Sequence, residues 1–236
     1  MTSPESRPVE ELARAVHAGL AAVADPSRAA PMQAYMKSTM PFLGVPRPLR
    51  AQVEREVLGA YVLPRRADWE RAVRALWYGA GHREERYVAV TLTGWRPYRR
   101  WLDPAAVPLL EELVLDGAWW DYVDELAARR LGPVLRSKPD VMAPVVRQWS
   151  RDVDRWKRRA AVICQVGAKD QVDLRLLEDC VVANLDDPDF FLRKAIGWAL
   201  RDVARTRPCW VRTFVEVHHD RLSPLSRREA LRHLTA

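Results

Sequence analysis

Apolar residues recur at helical spacing along nearly the whole chain. Residues 9–24 place Leu12, Val16, Leu20 and Val23 three to four positions apart, the one-sided stripe of an amphipathic helix. Asp25-Pro26-Ser27 ends that stripe and starts a second helix through Tyr35-Met36-Lys37, and Pro46 and Pro48 open a third running to about Tyr61. Leu63-Pro64 breaks it, and the spacing then predicts helices over 67–78, 83–99, 104–116, 118–131, 139–150, 153–167, 173–185, 189–205, 208–219 and 224–234. Their starts carry cap and first-turn residues: Asp103-Pro104, Pro139-Asp140, Asp152 and Asp187-Pro188. Strand-like alternation over four to eight residues is scarce and the links are short. The expected class is therefore all-α, built from antiparallel helix pairs.

An internal echo sharpens that class. Trp156-Lys157-Arg158-Arg159-Ala160 is answered by Phe191-Leu192-Arg193-Lys194-Ala195 one repeat later, and again by Leu225-Ser226-Arg227-Arg228-Glu229. Each sets two basic residues in the first turns of a helix behind a large apolar one. Paired helices at this period indicate an α-solenoid, HEAT-like because the Gly and Tyr positions of the TPR pattern are missing. Such a stack would line basic residues along one concave face, a stripe suited to a duplex backbone. Solvated helix-end charges are an equal reading of the same residues.

Composition adds a partner class. The 236 residues carry a formal charge of +7, with only five lysines among 38 basic side chains. That balance favours an anionic partner, nucleic acid ahead of a membrane surface. No apolar run approaches the roughly 20 residues of a membrane span. Met1-Thr2-Ser3-Pro4-Glu5 lacks a basic-then-apolar leader, so a cytoplasmic location is expected. The length suits one domain over 1–236, or two tightly joined ones. Ten Trp against four Phe suggest a Trp-rich core. Cys164, Cys180 and Cys209 are too far apart for a zinc site and are expected to be reduced. His218-His219 beside Asp220 reads as a helix end, since adjacent residues on a helix point about 100° apart.

The densest cluster of chemistry is Trp119-Trp120-Asp121-Tyr122-Val123-Asp124. Two adjacent Trp cannot both face a core, and Trp120 shares a helix face with Asp124 at i, i+4. An aromatic plane beside a carboxylate attracts a cation twice over. The bland alternative keeps Trp119 in the core, Trp120 at its edge and Asp121 as a dipole partner. Further along, Arg159 follows Trp156 on one face. Lys194, Trp198 and Arg201 form one stripe, beside Gly197 where something approaches closely, most commonly another helix. Tyr35-Met36-Lys37 precedes a loop with a Gly turn, Pro41 to Pro48.

Taken together, these pieces resemble the bacterial DNA alkylation repair glycosylases of the AlkD type. The matching segments are Tyr35-Met36-Lys37, Phe42-Leu43-Gly44-Val45, Trp119-Trp120-Asp121-x-Val123-Asp124, Arg159-Ala160-Ala161, Lys194-Ala195-Ile196-Gly197-Trp198-x-Leu200-Arg201 and Leu225-Ser226-Arg227-Arg228-Glu229-Ala230. They occur in the family's order over nearly the whole chain. The resemblance implies a HEAT-like solenoid that cleaves the N-glycosidic bond of cationic N3- and N7-alkylated purines in duplex DNA. Asp124 would be the catalytic carboxylate, with Trp120 and Trp198 against the deoxyribose. Arg159 would hold the backbone near the lesion, with Tyr35, Lys37, Arg47, Lys194 and Arg201 also facing DNA. Two departures stand out: Tyr122 where relatives often have a small hydroxyl residue, and Gly167 where some carry Lys, with Lys169 nearby.

The chemistry fits that assignment. A cationic alkylpurine leaves without a general acid, and a carboxylate and aromatic faces stabilise the positive charge that develops on the sugar. No metal or organic cofactor is called for, and the expected partner is double-stranded DNA, bound by a monomer at the bacterial nucleoid. Where most glycosylases flip the base into a pocket, the resemblance implies trapping of the backbone instead. Two alternatives stay open: a self-resistance enzyme removing bulky adducts of a DNA-alkylating natural product, and a non-catalytic HEAT-like module binding DNA or protein.

Overall fold

The computed structural model describes residues 7–234; the leader reading at Met1–Glu5 lies outside them. The chain is all-α, and no strand occurs among the described residues. It divides into two compact units, Met1–Trp101 and Leu102–Ala236.

The first unit holds α1 (Arg7–Ala22), α2 (Pro26–Met36), α3 (Arg47–Ala60), α4 (Arg66–Tyr78) and α5 (Arg83–Thr93), closed by a 3-10 turn at Arg96–Trp101. The stripe of α1 buries Leu12, Val16 and Leu20, and α1 packs against α3, α4 and α5. Trp69 and Trp77 on α4 are fully buried, and Trp69 donates its indole N–H to the Leu92 carbonyl at 3.0 Å. Truncating either to Ala would cost about 3–5 kcal/mol. The helix expected over 83–99 stops at Gly94, beyond which the chain turns so that Tyr98 and Trp101 stack at 5.3 Å.

The second unit contains α6 (Val107–Gly117), α7 (Trp120–Leu126), α8 (Gly132–Ser137), α9 (Pro139–Trp149), α10 (Arg155–Ile163), α11 (Leu174–Val182), α12 (Phe190–Val203), α13 (Pro208–Val217) and α14 (Pro224–Leu231). Helices one repeat apart lie side by side, α7 on α10, α10 on α12, α12 on α14. Gly132-Pro133 has the composition of a helix end, but the chain passes from α7 through a π-helical segment, Ala127–Leu131, into α8. Gly132 is needed there because a Cβ would lie 2.1 Å from the Cys164 carbonyl oxygen.

Two caps differ from expectation in the same way. Asp154 and Asp189, not Asp152 and Asp187, accept the first N–H groups of α10 and α12. Asp152 and Asp187 instead each accept the backbone N–H of the capping Asp, at 2.9 and 2.7 Å. Of the ten Trp, Trp69, Trp77, Trp149 and Trp156 are buried and the other six only half-buried, so the core is less Trp-rich than composition suggests. Cys164 and Cys180 are buried and burial pushes both thiols up, Cys180 to about 12; Cys209 is exposed. His218 caps the end of α13. No helix among the described residues is long and apolar enough to cross a membrane.

Candidate functional site

Trp119 adopts an extended conformation and α7 begins at Trp120, so Trp120 and Asp124 stand one turn apart on one face. Tyr122 and Val123 turn into the core, which makes the departure at Tyr122 a core substitution. Trp120 and Asp124 are half-buried. Trp119 packs with Trp156 and Phe191, ring centroids 6.0 and 5.4 Å away, so aromatic residues at the starts of three adjacent repeats form one cluster. That cluster fixes the starts of α7, α10 and α12 against each other, and the polar site is built one turn further along.

There, Arg159 donates Nε to Asp124 Oδ1 at 2.7 Å and Nη2 to Asp124 Oδ2 at 2.8 Å. Its Nη1 donates to the Phe191 carbonyl at 2.6 Å. Three of the five guanidinium N–H groups are thus engaged, and the residue is only 5% exposed. Arg159, expected to hold the DNA backbone near the lesion, also bonds within the protein: it orients Asp124 and ties α7 to α12 through α10. Burial pushes the Asp124 carboxyl above its ordinary value, Arg159 opposes that by hydrogen bonding and charge, and Asp121 adds a small upward push. The Asp124 side chain keeps 18% of its surface exposed, an opening to solvent on one side.

Lys194 and Arg201 on α12 converge on Glu229 of α14, which the last matching segment contains but to which the sequence gives no role. Lys194 Nζ lies 3.2 Å from Oε1, and Arg201 Nη1 bonds to Oε2. Burial works against the charged form of Glu229, but the Lys194 hydrogen bond and the charges of Lys194, Arg201 and Arg232 hold its carboxyl below the ordinary value. Gly197 makes this convergence possible. A Cβ there would lie 2.6 Å from Glu229 Cβ and 3.3 Å from Ser226 Cα, so the glycine serves tight packing of α12 on α14. Asp124, Arg159, Lys194 and Glu229 fall at intervals of 35 residues. Extending the repeat arithmetic by one step singles out Glu229.

Trp198 is half-buried and lines a cleft of about 300 Å³ with Arg201, Asp202, Arg205, Arg232 and His233. Arg205 and Arg232 are exposed, and among the described residues neither is ion-paired. The repeated basic residues are therefore not a uniform positive stripe. Arg155, Arg158, Arg159 and Lys194 all meet carboxylates, Asp189, Asp187, Asp124 and Glu229 respectively. The open cations beside Trp198 lie elsewhere, at the ends of α12 and α14. Gly167 has φ +83°, a backbone that disfavours any side chain, and its N–H donates to Asp202 at 2.7 Å; Lys169 nearby is exposed.

Tyr35, Lys37 and Arg47 belong to the first unit and all three are exposed, Tyr35 at 77%. Tyr35 lies in the last turn of α2, Lys37 caps that helix in the left-handed region (φ 49°), and Arg47 opens α3. Gly44 between them has φ +80°, as the Gly turn requires.

A family model described as DNA alkylation repair enzyme matches residues 16–234. Among solved structures, the chain is similar to a protein from Enterococcus faecalis described as a predicted DNA alkylation repair enzyme. The two are 27% identical, over 90% of this chain and 97% of that one, with a TM-score of 0.79. AlkD2 from Streptococcus mutans, 17% identical over 78% of this chain and 89% of its own, shares the fold at a TM-score of 0.59. No curated protein matches the chain.

Proposed function

Because this chain belongs to the DNA alkylation repair enzyme family, we propose that it is a DNA glycosylase that hydrolyses the N-glycosidic bond of cationic N3- and N7-alkylated purines in duplex DNA. The observation that carries the reading is Asp124, a partly exposed carboxylate held by a bidentate Arg159 on the same helix face as Trp120.

In this reading the bond between C1′ and the base nitrogen breaks with its electron pair returning to the base, which neutralises the base's positive charge. The sugar takes up that charge. The Asp124 carboxylate stabilises it electrostatically and accepts a proton from the water whose oxygen bonds to C1′. Trp120 and Trp198 present aromatic faces to the sugar. The leaving base is already a cation, so the step asks for no general acid and no cofactor. Arg159 orients Asp124 with two N–H groups, gives a third to the Phe191 carbonyl, and offers the remaining two to a phosphate. Lys194 and Arg201, bridged by Glu229, and the open Arg205 and Arg232 hold the backbone beside Trp198. Tyr35, Lys37 and Arg47 of the first unit add backbone contacts of their own. The chain acts as a monomer and as one functional domain.

Release of free base from duplex carrying 7-methylguanine tests this, with wild type set against Asp124→Asn. Asn keeps the size of the side chain but not its charge, and excision should slow by about 10²–10³-fold, the usual cost of one electrostatic stabiliser. A wild type that releases no base, or a mutant that keeps pace with it, overturns the assignment.

A further inference from the structure

The first unit contains a carboxylate that the chemistry above does not use. Glu84, in the first turn of α5, is fully buried. Its Oε2 accepts the Leu43 N–H at 3.0 Å, and its Oε1 accepts those of Gly44 and Val45 at 2.9 and 3.0 Å. A buried carboxylate is costly unless hydrogen-bonded, and here three successive backbone donors compensate it. These three residues lie in the loop between α2 and α3, which has no regular structure of its own to bind those N–H groups.

The loop is fastened elsewhere as well. Arg83, next to Glu84, donates its backbone N–H to the Pro41 carbonyl and its Nη1 to Ser38 Oγ. Asp25, the cap of α2, donates its N–H to the Leu43 carbonyl at 2.9 Å. A Cβ on Gly44 would lie 2.0 Å from the Asp25 carbonyl oxygen, so the turn admits no larger residue. The outcome is one fixed course from the end of α2 to the start of α3, with Phe42 and Val45 buried beneath it. At its two ends stand the exposed Tyr35 and Lys37 and the exposed Arg47.

We infer that Glu84 is a positioning residue for DNA binding: by gripping three consecutive backbone amides it sets the spacing of Lys37 and Arg47 on the duplex backbone. This rests on the glycosylase reading for the identity of the ligand. Fixing two cations in advance removes an ordering cost at binding, which falls on affinity and not on the chemical step. Glu84→Gln breaks the grip selectively. The amide oxygen can replace Oε1 for Gly44 and Val45, but the NH2 group then faces the Leu43 N–H, donor against donor.

The experiment measures KM and kcat on 7-methylguanine duplex for wild type, Glu84→Gln, the Lys37→Ala/Arg47→Ala pair and the triple variant. Glu84→Gln should raise KM about tenfold and leave kcat within about twofold, the pattern of lost uniform binding. In the Lys37→Ala/Arg47→Ala background it should add little, because residues acting through one contact are not additive. A fall in kcat at unchanged KM, or a full KM effect in that background, overturns the inference. So does an unchanged KM in the Lys37→Ala/Arg47→Ala pair itself, a surface variant that does not depend on Glu84→Gln folding. Should Glu84→Gln not fold, Glu84→Asp, one methylene shorter with its charge kept, carries the same comparison. A wild type that excises nothing refutes the glycosylase reading alone; affinity for unmodified duplex, measured on the same four proteins, then decides the role of Glu84.

Discussion

Asp124 and Arg159, one repeat apart in sequence, meet through two parallel hydrogen bonds of 2.7 and 2.8 Å. The helices that carry them, α7 and α10, pack side by side, and the aromatic cluster of Trp119, Trp156 and Phe191 sets their register. The guanidinium therefore fixes the direction in which the carboxylate points and, against burial, bears on the pH at which it is charged.

That second role gives a pH prediction. Burial raises the Asp124 carboxyl above its ordinary value and Arg159 counteracts it. If Asp124 acts as proposed, excision needs its ionised form, and the acidic limb of the single-turnover pH profile should lie above the ordinary Asp value. Removing Arg159 takes away the downward pull, so Arg159→Ala should move the limb to higher pH. A limb that stays in place, or moves towards acid, would show that the guanidinium does not tune Asp124. The same substitution leaves a largely buried carboxylate unpaired, and about 3–5 kcal/mol of stability should go with it.

Packing at Gly197 makes a stability prediction with two opposed parts. Alanine is the better helix former by about 1 kcal/mol. Its Cβ, however, would sit 2.6 Å from Glu229 Cβ and 3.3 Å from the backbone of Ser226, where nothing flexible can yield. Overpacking of this kind costs about 1–3 kcal/mol. Gly197→Ala should therefore destabilise on balance in denaturant unfolding; a neutral or stabilised variant would mean that α14 moves aside freely.

The cations around Trp198 should differ in their weight on DNA. Arg205 and Arg232 are open, whereas Lys194 and Arg201 share Glu229. Removing one cation that neutralises a phosphate should flatten the slope of log affinity against log salt by about 0.9. The Arg205→Ala/Arg232→Ala pair should lower that slope more than Lys194→Ala/Arg201→Ala does. Equal slopes for the two pairs would place the grip on the backbone at Glu229's partners instead.

Acid stability of the first unit should depend on Asp68. Arg65 bonds it at 2.8 and 2.9 Å and Arg71 at 2.5 Å, and against burial these hold its carboxyl at about 2. A depressed value stabilises the fold above the ordinary 3.8 and loses that contribution as pH falls through about 2. Asp68→Asn should thus lower Tm at about pH 7 and make little difference below about pH 2. A Tm gap that persists in acid would assign the effect to packing.

The sequence by itself determined the class and most of the helices, because a 3–4 residue apolar period, Pro and Asp starts and short links are all local. It also determined the repeat, and with it Trp120 and Asp124 on one face, since i, i+4 geometry needs no tertiary information. Only the tertiary structure decided which charges are free. Arg159, Lys194 and Arg158 look alike along the chain, yet each pairs with a carboxylate on a neighbouring helix or at its start, while Arg205 and Arg232 form no close ion pair among the described residues, Arg232 acting on Glu229 only through its charge. Glu84 was illegible for the same reason: its partners, Leu43 to Val45, lie some forty residues away across a fold that no local pattern encodes. Charge pairing and loop fastening depend on distances between elements, and those distances exist only once the helices have packed.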